Sequence, residues 1–455
     1  MTSSSASAPQ GAPARGLTVL QGAAFVVGVV IGVGIFRTPQ LVAANVDTEL
    51  AFLAVWLAGG IVTLIGALCY AELAASRPHE GGEYRFLSDA FGLRLGVMFA
   101  WARGTVIQTG AIAAVAFVFG DYASQLYSLG EYSASIYAGL VVAAVTAINV
   151  AGTPRATWAQ SVLTAITIGA LLFIIVAGLS VPSAADLAPT ASVPASSAGG
   201  ALGLAMVFIL LTYGGWNEAA YLSAEVRNPA RDVVRILILG TLVLITLYVL
   251  VNFAFLRVFG LEGLRGSEAV AADFMARVVG PQGAVILSAA ICITALSTLN
   301  ATVFTGARVY SALGRDVRFF RRFGDWDEKG RQPVNAILLQ GAITLGLVAL
   351  GAVTRDGFKA MVDYTAPVFW FFLLLVGISL FIFRSRESND RRPFKVPLYP
   401  ITPAFFVITC AYMLYSSLAY TGVGAFVGIG VLLLGTPLLL LSRSSEAPAP
   451  APAAE

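Results

Sequence analysis

Apolar runs of roughly twenty residues recur along the whole chain, and short polar stretches separate them. A bilayer core of ~30 Å is crossed by about 20 apolar residues in a helix. Such runs fall at 17–44, 50–75, 93–127, 132–151, 157–181, 200–224, 232–259, 281–313, 333–353, 360–384, 399–419 and 421–442. The pattern predicts an all-α polytopic membrane protein with twelve transmembrane helices. The first and eighth runs are long enough to include interfacial ends.

Two of the runs are weakened from within. The first holds "GVVIGVGIFRTP", with Gly28, Gly32 and Gly34 ahead of Arg37 and Pro39. Glycine costs about 1 kcal/mol in a helix interior and proline about 3. The sixth holds "LLTYGGWNEAAYLSAEVRNPARD", where Gly214 and Gly215 precede Asn217 and Glu218. Five runs separate the two interruptions, and an odd offset makes the second set of five cross the membrane in the opposite sense. Glycine-interrupted helices at matching places of two inverted halves point to a transporter binding site. The halves share no clear sequence identity, so the repeat rests on topology. Packing competes with this reading at each site alone, because Gly28 and Gly32 have the GxxxG spacing of close helix contacts.

A helix broken in lipid frees backbone groups that need partners. One half-helix presents N–H groups at a positive dipole end, and the other presents carbonyls. Together they can hold a carboxylate and an ammonium, the two ends of an amino acid. Glycine lets ligand and backbone come close.

Composition supports the membrane reading. The chain has 455 residues, of which 58% are hydrophobic and 12% charged, against roughly 25% charged in soluble domains. A net charge of +3 gives no reason to expect nucleic acid. Of the 28 basic residues, 21 fall in tails and loops on one side if the N-terminus is cytoplasmic. The asymmetry predicts both termini inside. Cys69, Cys292 and Cys410 all lie in apolar runs without metal-ligand spacing, and the one histidine, His79, lies in a loop. No metal site and no cofactor is expected. The first sixteen residues lack the apolar core of a signal peptide. With the Pro/Ala-rich end they read as disordered tails.

Four stretches carry a family resemblance. "IGVGIFRTP" resembles the first-helix signature of the amino acid–polyamine–organocation (APC) superfamily. "YAELAASRPHEGGEYRFL", "TYGGWNEAAYLSAEVRNPARD" and "LSTLNATVFTGARVYSALGRD" resemble its loop after helix two, its helix six and its helix eight. The motifs occur in the family's order and span about residues 15 to 445. The resemblance implies five-plus-five inverted repeats with helices one and six broken, then two accessory helices. On that plan 1–16 and 443–455 are tails, 17–181 and 200–384 the repeats, and 399–442 the accessory pair.

The resemblance also implies a site. Its carboxylate-binding amides fall on Gly32, Val33 and Gly34. Its ammonium-binding carbonyls fall on Val30, Leu211 and Gly214. Trp216 falls beside the substrate, followed by Asn217 and Glu218. Where many sodium-independent members have a helix-five lysine, this chain has Thr167. A sodium site of the wider fold would fall on Gly28, Ile31, Ser297 and Thr298, which all offer oxygen. Ser297 and Thr298 can equally bond back to their own helix. The coupling ion, sodium or a proton, stays open.

Ionisable residues within membrane runs are functional suspects. Glu72 is expected to pair with a loop arginine. Arg103 and Glu218 share a depth, so they can pair. Alternatively Glu218 faces the site and reads a polar or cationic group, or carries a proton. The leading function is a secondary transporter in the cell membrane that carries an amino acid or a related amine. A non-transporting sensor is the alternative. An enzyme is disfavoured because no Ser/His arrangement exists, and ATP-driven transport because no GxxxxGK[ST] loop exists.

Overall fold

A computed structural model of the protein describes residues 18–79, 81–151, 156–181, 198–223, 226–267, 269–316, 320–324, 333–354, 356–387, 392–420 and 423–441. Both expected tails, Glu225 and the basic residues Arg155, Arg318, Lys329, Arg331 and Arg391 lie outside the described residues. The described chain is helical and holds no strand.

The helices are α1 (Val19–Val30), α2 (Gly34–Ala43), α3 (Glu49–Ser76), α4 (Glu83–Phe91), α5 (Leu93–Ala102), α6 (Gln108–Leu126), α7 (Ser133–Ala151), α8 (Ala156–Ser180), α9 (Ala198–Thr212) and α10 (Ala219–Leu222). They continue as α11 (Pro229–Arg265), α12 (Val270–Val278), α13 (Pro281–Asp316), α14 (Arg321–Gly324), α15 (Val334–Val353), α16 (Gly357–Arg386), α17 (Ile401–Tyr420), α18 (Val423–Leu433) and α19 (Leu438–Leu441). Among the described residues, eight helical stretches are long and apolar enough to cross a membrane. The pair α1 and α2 forms a ninth candidate, bent by 52° at its break.

Local chemistry sets the ends. Thr18 caps α1 in a capping box with Gln21. The side chains of Thr48 and Asp356 accept first-turn amides of α3 and α16. Pro229 opens α11, where its missing N–H costs nothing. The far end of α2 is capped from outside: Arg265 donates to the carbonyls of Ala43 at 2.9 Å and Val46 at 2.5 Å.

Small residues allow the helices to approach. A Cβ on Gly59 of α3 would sit 2.3 Å from Ile209 of α9. Beside it, Trp56, Tyr213 and Tyr248 meet edge-on or tilted at centroid distances of 5.0–6.3 Å and tie α3, the end of α9 and α11 together.

The apolar pattern missed several features. The third run is not one α-helix, because Arg103–Ile107 forms a π-turn between α5 and α6. The twelfth run is broken by a turn over 434–437. Two short helices, α4 and α12, lie in segments read as connections. Both are amphipathic and carry polar residues between buried apolar ones, so they lack the continuous run that marks a span. Gly260 kinks α11 with φ 63°.

Glu72 pairs as expected, with Arg384 in the last turn of α16. Nε and Nη2 of Arg384 donate at 2.8 and 2.5 Å, and the Val396 amide donates at 2.7 Å. Arg392 lies 3.7 Å away. Glu72 is 3% exposed, so removing it leaves the Arg384 guanidinium without its carboxylate partner in a low-dielectric setting. Glu72→Ala is expected to lower stability by about 3–5 kcal/mol, seen as a fall in the melting temperature of the detergent-purified protein, with Glu72→Gln intermediate.

Candidate substrate site

The first break begins where α1 loses its ladder. The Gly32 amide folds back onto the Val30 carbonyl at 2.6 Å, and Phe36 donates to Val33. The amides of Val33, Gly34 and Ile35 donate to no protein group, and Val33 gives α2 no side-chain cap. The free amides therefore start one residue later than the family resemblance implies. Gly32 is a turn residue, and its N–H is spent.

The second break follows α9. The Gly214 amide donates to Leu211 O at 3.0 Å. Gly215 has φ 104°, a left-handed conformation in which any side chain is strained. A 3-10 turn over Trp216–Glu218 leads into α10. The two breaks touch. A Cβ on Gly215 would sit 3.4 Å from Val29 and Val30, and one on Gly34 would sit 3.2 Å from the Thr212 hydroxyl.

A cavity of about 210 Å³ opens between them. That is below the roughly 300–1,000 Å³ of drug-sized ligand pockets and suits a single small metabolite. Val30, Gly32, Val33, Gly34, Leu211, Gly214, Asn217 and Glu218 all line it. Trp216 does not. Its ring packs edge-on against Tyr70 at 4.8 Å and near Phe406, over Gly66. Successive residues of a 3-10 turn point about 120° apart, so Trp216 faces the bundle while the residues after it face the cavity. The carbonyl assignments also separate. Val30 O is filled by the Tyr248 hydroxyl at 2.8 Å and by Gly32, whereas Gly214 O accepts no protein hydrogen bond.

Of the residues considered for an ion, Thr298 alone is on the cavity wall. Its hydroxyl donates back to Thr294 O at 3.2 Å. Thr167 and Thr294 share a hydrogen bond at 3.0 Å. Gly28, Ile31 and Ser297 are buried behind the wall. No cluster of three His, Cys, Asp or Glu suited to a metal occurs among the described residues.

The charged lining consists of Arg103 and Glu218. They pair, with Nη2 to Oε1 at 2.6 Å. The π-turn that begins at Arg103 places its side chain against α10, where the guanidinium lies 4.5 Å over the Tyr221 ring. A second carboxylate, Glu83, joins from the first turn of α4. It receives Arg103 Nη1 at 3.1 Å, Tyr70 OH at 2.6 Å, Asn217 Nδ2 at 3.0 Å and Tyr221 OH at 2.7 Å. Sequence reasoning missed Glu83 as a site residue. The "GGEY" stretch was its signal, but a carboxylate in a connection shows no sign of burial until the fold brings α3, α5 and α10 around it.

These features define a class: an all-helical, multi-pass membrane protein with a central cavity between two interrupted helices. A sequence profile described as amino acid permease matches residues 17–438, and the chain belongs to that family. It is therefore a permease and not an enzyme. It is 28% identical over 387 residues to the mouse b(0,+)-type amino acid transporter 1, covering 84% of this chain and 78% of the relative. To the human cystine/glutamate transporter it is 25% identical, covering 94% and 85%. To the serine/threonine exchanger SteT of Bacillus subtilis (strain 168) it is 26% identical, covering 93% and 95%.

Gly34 offers a direct test of the cavity. A Leu side chain there meets Thr212 and fills the space over the free amides. Gly34→Leu is expected to abolish ligand binding and uptake while the protein stays inserted and monodisperse. Gly34→Ala should weaken ligand binding by about 1–3 kcal/mol, read by a binding titration.

Proposed function

We propose that this permease is a secondary transporter that carries an amino acid across the cell membrane by alternating access, with both termini cytoplasmic. The supporting observation is the pairing of free amides at Val33 and Gly34 with an open carbonyl at Gly214 across one small cavity. The α2 N-terminus suits a carboxylate, and the Gly214 carbonyl suits an ammonium. The lining sets these fixed backbone groups among apolar side chains such as Ile107, Phe208 and Phe369 and polar ones such as Gln108, Thr298 and Thr302, which can accommodate a variable substituent.

The same reading takes twelve spans as two inverted sets of five, 17–181 and 200–384, followed by an accessory pair at 399–442. The short apolar helices Ala165–Ser180 and Gly424–Leu433 fall where the fifth and twelfth spans are required. Alternating access then moves one half against the other around the two breaks.

For energy coupling we propose exchange without sodium. The Thr167 and Thr298 hydroxyls already have partners inside the protein, and the name of one long relative is that of an exchanger. In proteoliposomes, replacing sodium with choline should leave uptake unchanged, and preloading with amino acid should accelerate it. Loss of uptake in choline would instead place an ion at Gly28, Ile31, Ser297 and Thr298.

Recognition of the carboxylate is tested by esterification. The methyl ester of a transported amino acid loses the anionic partner of the α2 amides. Its affinity should fall by about 1.5–3 kcal/mol, the usual worth of a hydrogen bond to a charged group, read by competition against labelled amino acid. Equal affinity for acid and ester would favour an amine carrier.

A further inference from the structure

The buried charges beside the cavity do not balance. Glu83 and Glu218 contribute two negative charges, and Arg103 contributes one positive charge. Donors are shared unequally between the carboxylates. Glu83 receives four, from Tyr70, Arg103, Asn217 and Tyr221. Glu218 receives a hydrogen bond from Arg103 on Oε1 only. Its Oε2 is buried without any hydrogen-bond partner. Yet Glu218 is on the cavity wall, and its side chain is 10% exposed.

An orphaned carboxylate oxygen in a dry setting is costly. The fold had three neutral donors at hand and directed all of them to Glu83. A positively charged donor arriving through the cavity would satisfy the free oxygen and cancel the excess charge together. We infer that Glu218 is a specificity residue that selects substrates bearing a second positive charge, namely amino acids with a cationic side chain. This rests on the amino acid reading above. The 3-10 turn over Trp216–Glu218 carries Glu218 roughly 6 Å beyond Gly215 at a rise of ~2.0 Å per residue. An ammonium on a four-carbon stem can span that length while the backbone ends of the substrate stay at the two breaks.

Arg103 does not make the cavity a site for acidic side chains. Its Nε is also buried without a partner, but both Nη groups are held by the carboxylates, and an incoming anion would meet Glu218 beside it.

Lysine and norleucine separate the possibilities, because norleucine keeps the straight stem without the ammonium. In proteoliposomes of the wild-type protein, lysine should displace a labelled substrate about 10- to 100-fold better than norleucine, the range expected for one charge-assisted hydrogen bond. In Glu218→Gln that preference should fall to near parity or reverse. Glu218→Asp should restore part of it, an outcome that simple loss of structure would not give. Wild-type affinity for norleucine equal to or above that for lysine overturns the inference, including the case in which uptake follows pH and Oε2 carries a proton instead. Preference for lysine kept in Glu218→Gln overturns it as well. If neither amino acid displaces the label, the inference is overturned while the amino acid reading stands, because a permease for another side-chain class would refuse both; the ester comparison tests that reading separately.

Discussion

An interrupted helix inside an apolar bundle leaves amides and carbonyls that no water of the bilayer core can satisfy. Each such group must find a partner in the protein or in a ligand. The structure meets part of this demand around its two breaks. Gly32 closes on Val30, Tyr248 reaches the same carbonyl, Gly214 closes on Leu211, and Arg265 seals the far end of α2. Among the groups left open, the amides of Val33 and Gly34 and the carbonyl of Gly214 belong to residues that border one cavity.

The side chains obey the same rule with charge included. Glu83 is the hub that α3, α10 and the π-turn all address, and its four donors hold those elements in register around the cavity. A buried carboxylate so fully paired is a structural anchor. Glu218, half-paired on the wall, is the opposite case. Glu72 with Arg384 and Arg392 repeats the anchor at another place, joining α3 to the end of α16. Between these polar nodes the helices pack through glycine and aromatic contacts, which cost no desolvation and allow close approach.

Much of this was legible in the sequence, for definite reasons. Length and continuity of apolar runs report burial in lipid directly, so the helical class and the interruptions at Gly32–Gly34 and Gly214–Gly215 could be read without contacts. The possible pairing of Arg103 with Glu218 followed from depth alone, since helix rise converts residue number to height. Family likeness added the order of motifs, and the permease profile over 17–438 agrees with it.

Tertiary structure decided the rest, because the deciding quantities are directions rather than positions along the chain. Whether Gly32 offers its amide or spends it depends on one turn. Trp216 and Glu218 are neighbours in sequence, yet a 3-10 turn sends one into the bundle and the other to the cavity. The π-turn at Arg103 changes no residue in the apolar pattern, but it aims the one guanidinium on the wall. Glu83 reads as a loop acid until α3, α5 and α10 surround it. The sequence by itself determined which segments could be buried and where helices would fail. Only the packed structure, by setting which donors reach which acceptors, decided which polar groups stay without a protein partner on the cavity wall.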